Sequence, residues 1–217
     1  MARSTGAVCR KCRREGVKLF LKGARCNTAN CALDKRKTAP GQHGAKKGKL
    51  TDYGTHLREK QKVKSYYGVL EKQFRKYYQM AERAKGNTGS VLMTLLERRL
   101  DNIVYRAGFA TSRAAARQIV AHGHIQVNGR RVDVASYLVK NGDEISVKNR
   151  EASIKLVKNC IEANANVGST DVAAPDFISV SDKTAAVPSA RVMRVPTIDD
   201  VSCNFINAQL IVELCSK

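Results

Sequence analysis

Four cysteines fall within the first thirty-one residues, as Cys9-x2-Cys12, a gap of thirteen residues, then Cys26-x4-Cys31. Two close pairs joined by a short loop can set four thiolates at the corners of a tetrahedron around one Zn²⁺. The residues around them are mostly cationic (Arg10, Lys11, Arg13, Arg14, Lys18, Lys22, Arg25). Such a segment has too little apolar content to fold around a core of its own. A metal would staple it and hold its positive charge on a fixed surface, and the partner that suits such a surface is a polyanion. An iron–sulfur cluster asks for the same four thiolates, and spacing does not separate the two. The plainer alternative is four reduced thiols carrying no ion.

Charge extends this reading along the chain. Against 39 Lys+Arg stand 19 Asp+Glu, a net charge of +20 over 217 residues. The excess lies in the first two thirds, and the last third is close to neutral. Localised basicity of this size points to nucleic acid rather than to general solubility. The length fits one or two domains. No run approaches the ~20 apolar residues of a membrane span. The opening Met-Ala-Arg-Ser-Thr-Gly lacks the apolar run of an export signal. The expected compartment is therefore the reducing cytoplasm, where clustered thiols favour a metal over disulfides. Cys160, Cys203 and Cys215 are scattered and read as small, partly buried hydrophobes.

Periodicity sets out the elements. Residues 1–50 show little of it, and Thr38-Ala-Pro-Gly-Gln-His-Gly44 is a turn-rich break before a basic linker. A charged helix is expected over 52–66, capped by Asp52 and stopped by Gly68. A second follows from Val69 to about Lys85, with Leu70, Phe74, Tyr77, Tyr78 and Ala81 at core spacing. A third should begin at a Thr88 or Ser90 cap and carry Leu92, Leu95, Leu96, Leu100, Ile103 and Val104 as one stripe to Gly108. Thr111-Ser112 caps a short helix over 113–122. The period then changes to two: His124–Val127, an Asn128-Gly129 type I′ turn, and a return through Arg130–Val132. Another strand is expected over 142–147, a helix over 151–163, a small polar loop over 164–176 and a strand over 177–180. Apolar Leu210-Ile-Val212 needs a core to join.

Arg113 and Arg117 lie one helical turn apart, opposite an apolar face of Ala116, Ile119 and Val120. Their guanidiniums are expected to point outward beside the hairpin and to meet successive phosphates. Positions 109 and 121, where an i±4 acid would stand, are Phe and Ala. No catalytic constellation stands out: the four histidines have no acid at triad-like spacing, and no phosphate loop is present. Two rival classes remain at this level. An RNA-modifying enzyme would need a catalytic domain beside residues 100–150. A zinc-dependent DNA-binding regulator would need a reading helix in the first fifty residues.

Several segments carry a more specific resemblance. Arg99-Leu-Asp-Asn-Ile-Val-Tyr-Arg-Ala-Gly-Phe-Ala-Thr-Ser-Arg113, continued through Ala116-Arg-Gln-Ile-Val-Ala-His-Gly-His-Ile-Gln-Val-Asn-Gly129, closely resembles the signature of the small-subunit ribosomal protein S4 family. So do Pro40-Gly-Gln-His-Gly44, Tyr53-Gly54 with Leu57–Val63, Phe74-Arg-Lys-Tyr-Tyr78 and Gln209-Leu-Ile-Val-Glu213. The four cysteines are similar to the metal-binding version of the bacterial-type family. The resemblance implies no enzyme activity, and a protein that binds 16S ribosomal RNA early in small-subunit assembly, at a helix junction of the 5′ domain. It further implies a place near the messenger RNA entry channel, beside the third and fifth small-subunit proteins, with an effect on decoding accuracy.

The fold implied is α+β. Residues 1–50 form a metal-stapled basic segment. Residues 51–95 with 177–217 form a helical body, and residues 96–176 form an inserted α/β RNA-binding module. The expected zinc ligands are Cys9, Cys12, Cys26 and Cys31. Charge and resemblance together put RNA contacts at Arg3, Arg10, Lys11, Arg13, Arg14, Lys35, Arg36, Lys37, His43, Lys46, Lys47, Tyr53, Arg58, Lys62 and Arg75. In the module the expected contacts are Arg113, Arg117, Gln118, His122, His124, Asn128 and Arg130.

Overall fold

The computed structural model describes residues 5–45, 48–167, 174–181, 186–201 and 205–216. The expected contacts Arg3, Lys46 and Lys47 lie outside the described residues. The fold is α+β, helices with one small antiparallel sheet, and the chain divides into two compact units. One comprises Met1–Met93 with Cys203–Lys217, and the other Thr94–Ser202.

In the first unit the thiol-bearing segment is more helical than its composition suggests. Helix α1 (Cys9–Glu15) ends at Gly16, whose left-handed φ of 70° lets its N–H reach the Cys12 carbonyl at 2.8 Å. A 3-10 turn over Gly23–Asn27 and α2 (Ala32–Lys35) follow. Helix α3 (Asp52–Tyr66) has the expected bounds, but its cap is Thr51 rather than Asp52: the Thr51 Oγ1 accepts from the Gly54 N–H at 3.2 Å. Helix α4 (Glu71–Arg83) buries Phe74, Tyr77, Tyr78 and Ala81, spaced as an amphipathic helix requires. Helix α5 (Thr88–Glu97) takes neither expected cap. The Asn87 Oδ1 accepts from the N–H groups of Gly89 and Ser90 at 2.9 and 3.3 Å.

The tail closes this unit. Helix α9 (Ala208–Cys215) packs along α3 and buries Ile211 completely. The Glu213 carboxylate stands 2.9 Å from His56 Nε2, the Asn207 N–H donates to Glu59 at 3.3 Å, and the Phe205 ring meets Tyr66 edge-on at 5.8 Å.

The second unit corrects two expectations. The long third helix is broken: α6 (Leu100–Arg106) is separate, because Arg99 turns extended and bridges to Leu138. The Val139 N–H donates to the Arg98 carbonyl at 2.9 Å, and the Leu100 N–H to the Tyr137 carbonyl at 2.8 Å. The second correction is to the domain boundary. After α7 (Arg113–Ala121) come β1 (Ile125–Val127), β2 (Arg130–Arg131), β3 (Glu144–Val147) and α8 (Glu151–Val167), then β4 (Ile178–Val180) and β5 (Ser189–Val192). The strands lie in the order β2-β1-β3-β5-β4, every pair antiparallel. Residues 177–180 and 189–192, expected with the helical body, therefore complete the sheet and core of this unit. Ile145 pairs with Ala190, and Phe177, Ile178, Ala190 and Val192 are buried with Ile103, Val104, Ile119 and Val120. The β1–β2 turn follows the expected register, with Asn128 and Gly129 both at positive φ and Val127 opposite Arg130.

Candidate nucleic-acid interface and thiol cluster

Cys9 and Cys12 lie on α1, Cys26 in the 3-10 turn and Cys31 at the start of α2. Cys12, Cys26 and Cys31 are buried and Cys9 is half-buried, and all four are free thiols. Burial pushes the Cys12 thiol up, a backbone hydrogen bond at Leu19 opposes this, and the charges of Cys26, Cys9 and Cys31 add to the rise. Burial also raises Cys26, against the Lys22 N–H that donates to its sulfur at 3.4 Å. The four sulfurs thus share one neighbourhood, and those of Cys12 and Cys26 receive backbone N–H bonds of the kind that support thiolate ligands. They do not stand at ligating spacing: among the described residues no group of three or more His, Cys, Asp or Glu side chains is arranged to hold a metal ion. The donor set suits zinc in its chemistry. Leu19 is the one buried apolar residue besides these cysteines among described residues 5–45, so a covalent staple is what the segment lacks.

The basic residues of the first unit divide by their partners. Arg10, Arg14, Arg36, Lys37, His43 and Tyr53 are exposed. Arg13 is turned inward along the chain, its Nε donating to the Thr38 carbonyl at 3.0 Å and its Nη2 to Ala39 at 3.3 Å. Lys35 is exposed but donates to Asn30 Oδ1 at 2.8 Å. On α3, Arg58 pairs with the buried Glu15 carboxylate at 3.2 Å. Lys62 is buried, ion-paired with Glu59, and donates to the Phe205 carbonyl at 3.4 Å. Its placement among RNA contacts is corrected: it ties α3 to the tail. Arg75 is exposed and pairs with Glu71 at 3.3 Å. Lys60 and Lys64, which sequence reading did not single out, converge on the same Glu71 at 3.0 and 2.5 Å. Their i, i+4 spacing on α3 was a visible signal, but their target stands across a helix corner.

In the second unit Arg113 does not point outward. It is buried, its Nε donates to Asn102 Oδ1 at 2.9 Å, and its guanidinium lies 4.5 Å above the Tyr105 ring. The Asn102 amide in turn donates to the fully buried Glu97 at 2.6 Å. Arg117 has an acid after all, from α6 rather than its own helix: Asp101 stands 4.0 Å away, itself held by Arg99 at 3.0 and 2.5 Å. The Arg117 side chain is 20% exposed and lies at the edge of this network. Asn128 serves the turn, donating to Asp143 at 2.8 Å and accepting from the Glu144 N–H at 2.9 Å.

Gln118, His122 and Arg130 are exposed. His124 is half-buried, with Nδ1 2.9 Å from Ser153 Oγ and its ring tilted against His122 at 6.1 Å. Burial lowers its pKa, and the charges of His122, Arg150 and Lys148 lower it further. Lys148 and Arg150 thus join the histidine pair, and sequence reading missed both. Pairing of Ile125 with Val147 was the available signal, since it sets Lys148 beside His124, whose carbonyl accepts from the Lys148 N–H at 2.8 Å. Arg131 packs over Gly123, where a Cβ would come within 2.3 Å of the Arg131 Nε.

The structure thus sets basic side chains on both units and a short helix–turn–hairpin module in the second. Residues 98–145 match the family described as the S4 domain, and residues 3–97 match the ribosomal protein S4/S9 N-terminal domain. The chain is 53% identical over 217 residues to the small ribosomal subunit protein uS4 of Thermoanaerobacter sp. (strain X514), covering all of both chains. It is 51% identical, again over the whole of both chains, to the proteins of that name from Halothermothrix orenii and Clostridioides difficile. The chain belongs to the uS4 family of small-subunit ribosomal proteins, which are structural components and not enzymes.

Proposed function

We propose that this chain is a structural part of the small ribosomal subunit and binds 16S ribosomal RNA at a helix junction of the 5′ domain, early in assembly. The observation that carries the reading is full-length likeness to proteins named for the small subunit, together with exposed cations on both units. Recognition is by charge and shape of folded RNA rather than by base reading. Arg10, Arg14, Arg36 and Lys37 serve as the grip of the first unit; Arg117, His122, Lys148 and Arg130 serve the second. The messenger entry channel, the third and fifth small-subunit proteins as neighbours, and an influence on decoding accuracy belong to the same reading. Co-sedimentation with small subunits in high salt tests it: the protein should remain bound, and release would favour a loosely held factor.

One zinc ion at Cys9, Cys12, Cys26 and Cys31 is part of the proposal. Bound zinc would cross-link α1 to the two turns that follow. The support is an all-thiol donor set gathered in a segment with almost no apolar core. Metal analysis of the purified chain, with a visible absorption spectrum, should find one zinc and no iron–sulfur bands. Full occupancy by iron, or a folded metal-free segment, would refute it.

A further inference from the structure

Three cations of the first unit meet one carboxylate. Lys60 and Lys64 of α3 reach Glu71, the first residue of α4, at 3.0 and 2.5 Å, and Arg75 reaches it at 3.3 Å. Lys11 stands close enough that the Lys64 charge, after burial, lowers its pKa. The Lys60 and Lys64 side chains are half-buried at 14% exposure, whereas Arg75 is 74% exposed and Glu71 36%. Partial burial works against ionisation of Glu71, and the hydrogen bonds from Lys64 and Lys60 overcome it, holding the carboxyl at about 2. The carboxylate stays charged at any physiological pH.

A corner staple between two helices needs one cation, not three. Three donors around one exposed oxygen pair is the arrangement a phosphate group would take. We propose that Glu71 is a resident anion in a phosphate-binding cluster of Lys60, Lys64 and Arg75, and that it lowers the affinity of the protein for RNA of the wrong shape. This rests on the RNA-binding reading above. A flexible single strand can bring a phosphate to the exposed Arg75 and to the rim of the half-buried lysines beside it. Glu71 already occupies this one, so such a strand gains little there. The phosphates of a folded junction are fixed in space, and its binding draws on contacts elsewhere that Glu71 does not touch. Glu71 thereby acts on specificity rather than on total affinity.

The test is filter binding of the full chain to poly(U) and to a folded 5′-domain fragment of 16S RNA, over a series of salt concentrations. With Glu71→Gln, poly(U) affinity should rise about threefold to tenfold, and its salt slope should steepen by about 0.7, the increment for one added single-strand phosphate contact. Affinity for the folded fragment should change less than about twofold, so the ratio between the RNAs falls. Poly(U) affinity unchanged or lowered, in a variant whose circular dichroism matches wild type, would overturn the proposal.

A second comparison does not depend on how Glu71→Gln folds. Arg75 and Lys76 are both exposed on α4, and among the described residues no carboxylate is ion-paired with Lys76. Because Glu71 already answers Arg75, Arg75→Gln should weaken poly(U) binding less than Lys76→Gln. An equal or greater loss from Arg75→Gln would overturn the proposal. Failure of the wild type to prefer the folded fragment would instead refute the RNA reading itself.

Discussion

Replacing Arg113 by Ala should destabilise the second unit without primarily weakening RNA binding. The guanidinium is buried, donates to Asn102 at 2.9 Å and covers the Tyr105 ring at 4.5 Å. A hydrogen bond from a charged donor contributes about 1.5–3 kcal/mol. A desolvated cation–π contact contributes about 2 kcal/mol. The two share one side chain and do not simply add, so the expected loss is about 3 kcal/mol. Removal also leaves the Asn102 oxygen without this donor, inside a network that reaches the buried Glu97.

Because the chain has two units, a single unfolding midpoint would mix them. Hydrogen exchange resolves the second unit alone. The slowest amides between Leu100 and Val147 should exchange about a hundredfold faster, since about 1.4 kcal/mol corresponds to a factor of ten. Arg117→Ala is the control. Its partner stands 4.0 Å away and the side chain is partly exposed, so stability should fall by less than about 1 kcal/mol. RNA affinity should instead fall by about 1–2 kcal/mol, with a salt slope shallower by about one unit. If Arg113→Ala leaves exchange unchanged but weakens RNA binding, the guanidinium faces outward and the reasoning fails.

Three further outcomes follow from single contacts. Thr51→Ala removes the cap of α3 and should cost about 1 kcal/mol, read as faster exchange of amides in the first turn of that helix. Ile211→Ala empties a fully buried site beneath the tail helix and should cost about 2–5 kcal/mol; limited proteolysis would then cut near residue 205 first. Asp200 accepts from the Arg194 guanidinium at 2.7 Å and from the Thr197 N–H at 2.7 Å, and these bonds hold its carboxyl at about 2, as the lysines hold that of Glu71, below ordinary values of 3.8 and 4.5. A depressed folded pKa stabilises above the unfolded value and is lost as pH falls through the folded one. Circular dichroism should therefore show stability declining from about pH 4.5 toward pH 2, and Glu71→Gln should remove part of that decline.

Much of the architecture was legible wherever a helix or hairpin carries its own pattern. Phe74, Tyr77, Tyr78 and Ala81 named the buried face of α4, and Asn128-Gly129 named the turn. The break at Arg98–Arg99 was not legible, because Leu100, Ile103 and Val104 continue the apolar stripe while the interruption comes from backbone pairing with residue 138. Strand β5 is four residues long, and its partner β3 is more than forty positions away. Its alternation does not announce the sheet it completes, so the sequence pattern shows no link between these residues and the second unit. The same limit applied to the site. The acid facing Arg117 and the amide facing Arg113 come from α6, so the i±4 positions of the arginines' own helix mark neither.

Recognition of folded ribosomal RNA by charge held on a shaped surface is tested most directly by one titration. The full chain is titrated by filter binding, at several salt concentrations, against the folded 5′ domain of 16S RNA and against a shuffled RNA of equal length. Tighter binding to the folded domain at every salt concentration is expected, with affinity for both RNAs falling as salt rises. Equal affinity for the two RNAs would contradict it, since charge alone would then explain all the binding.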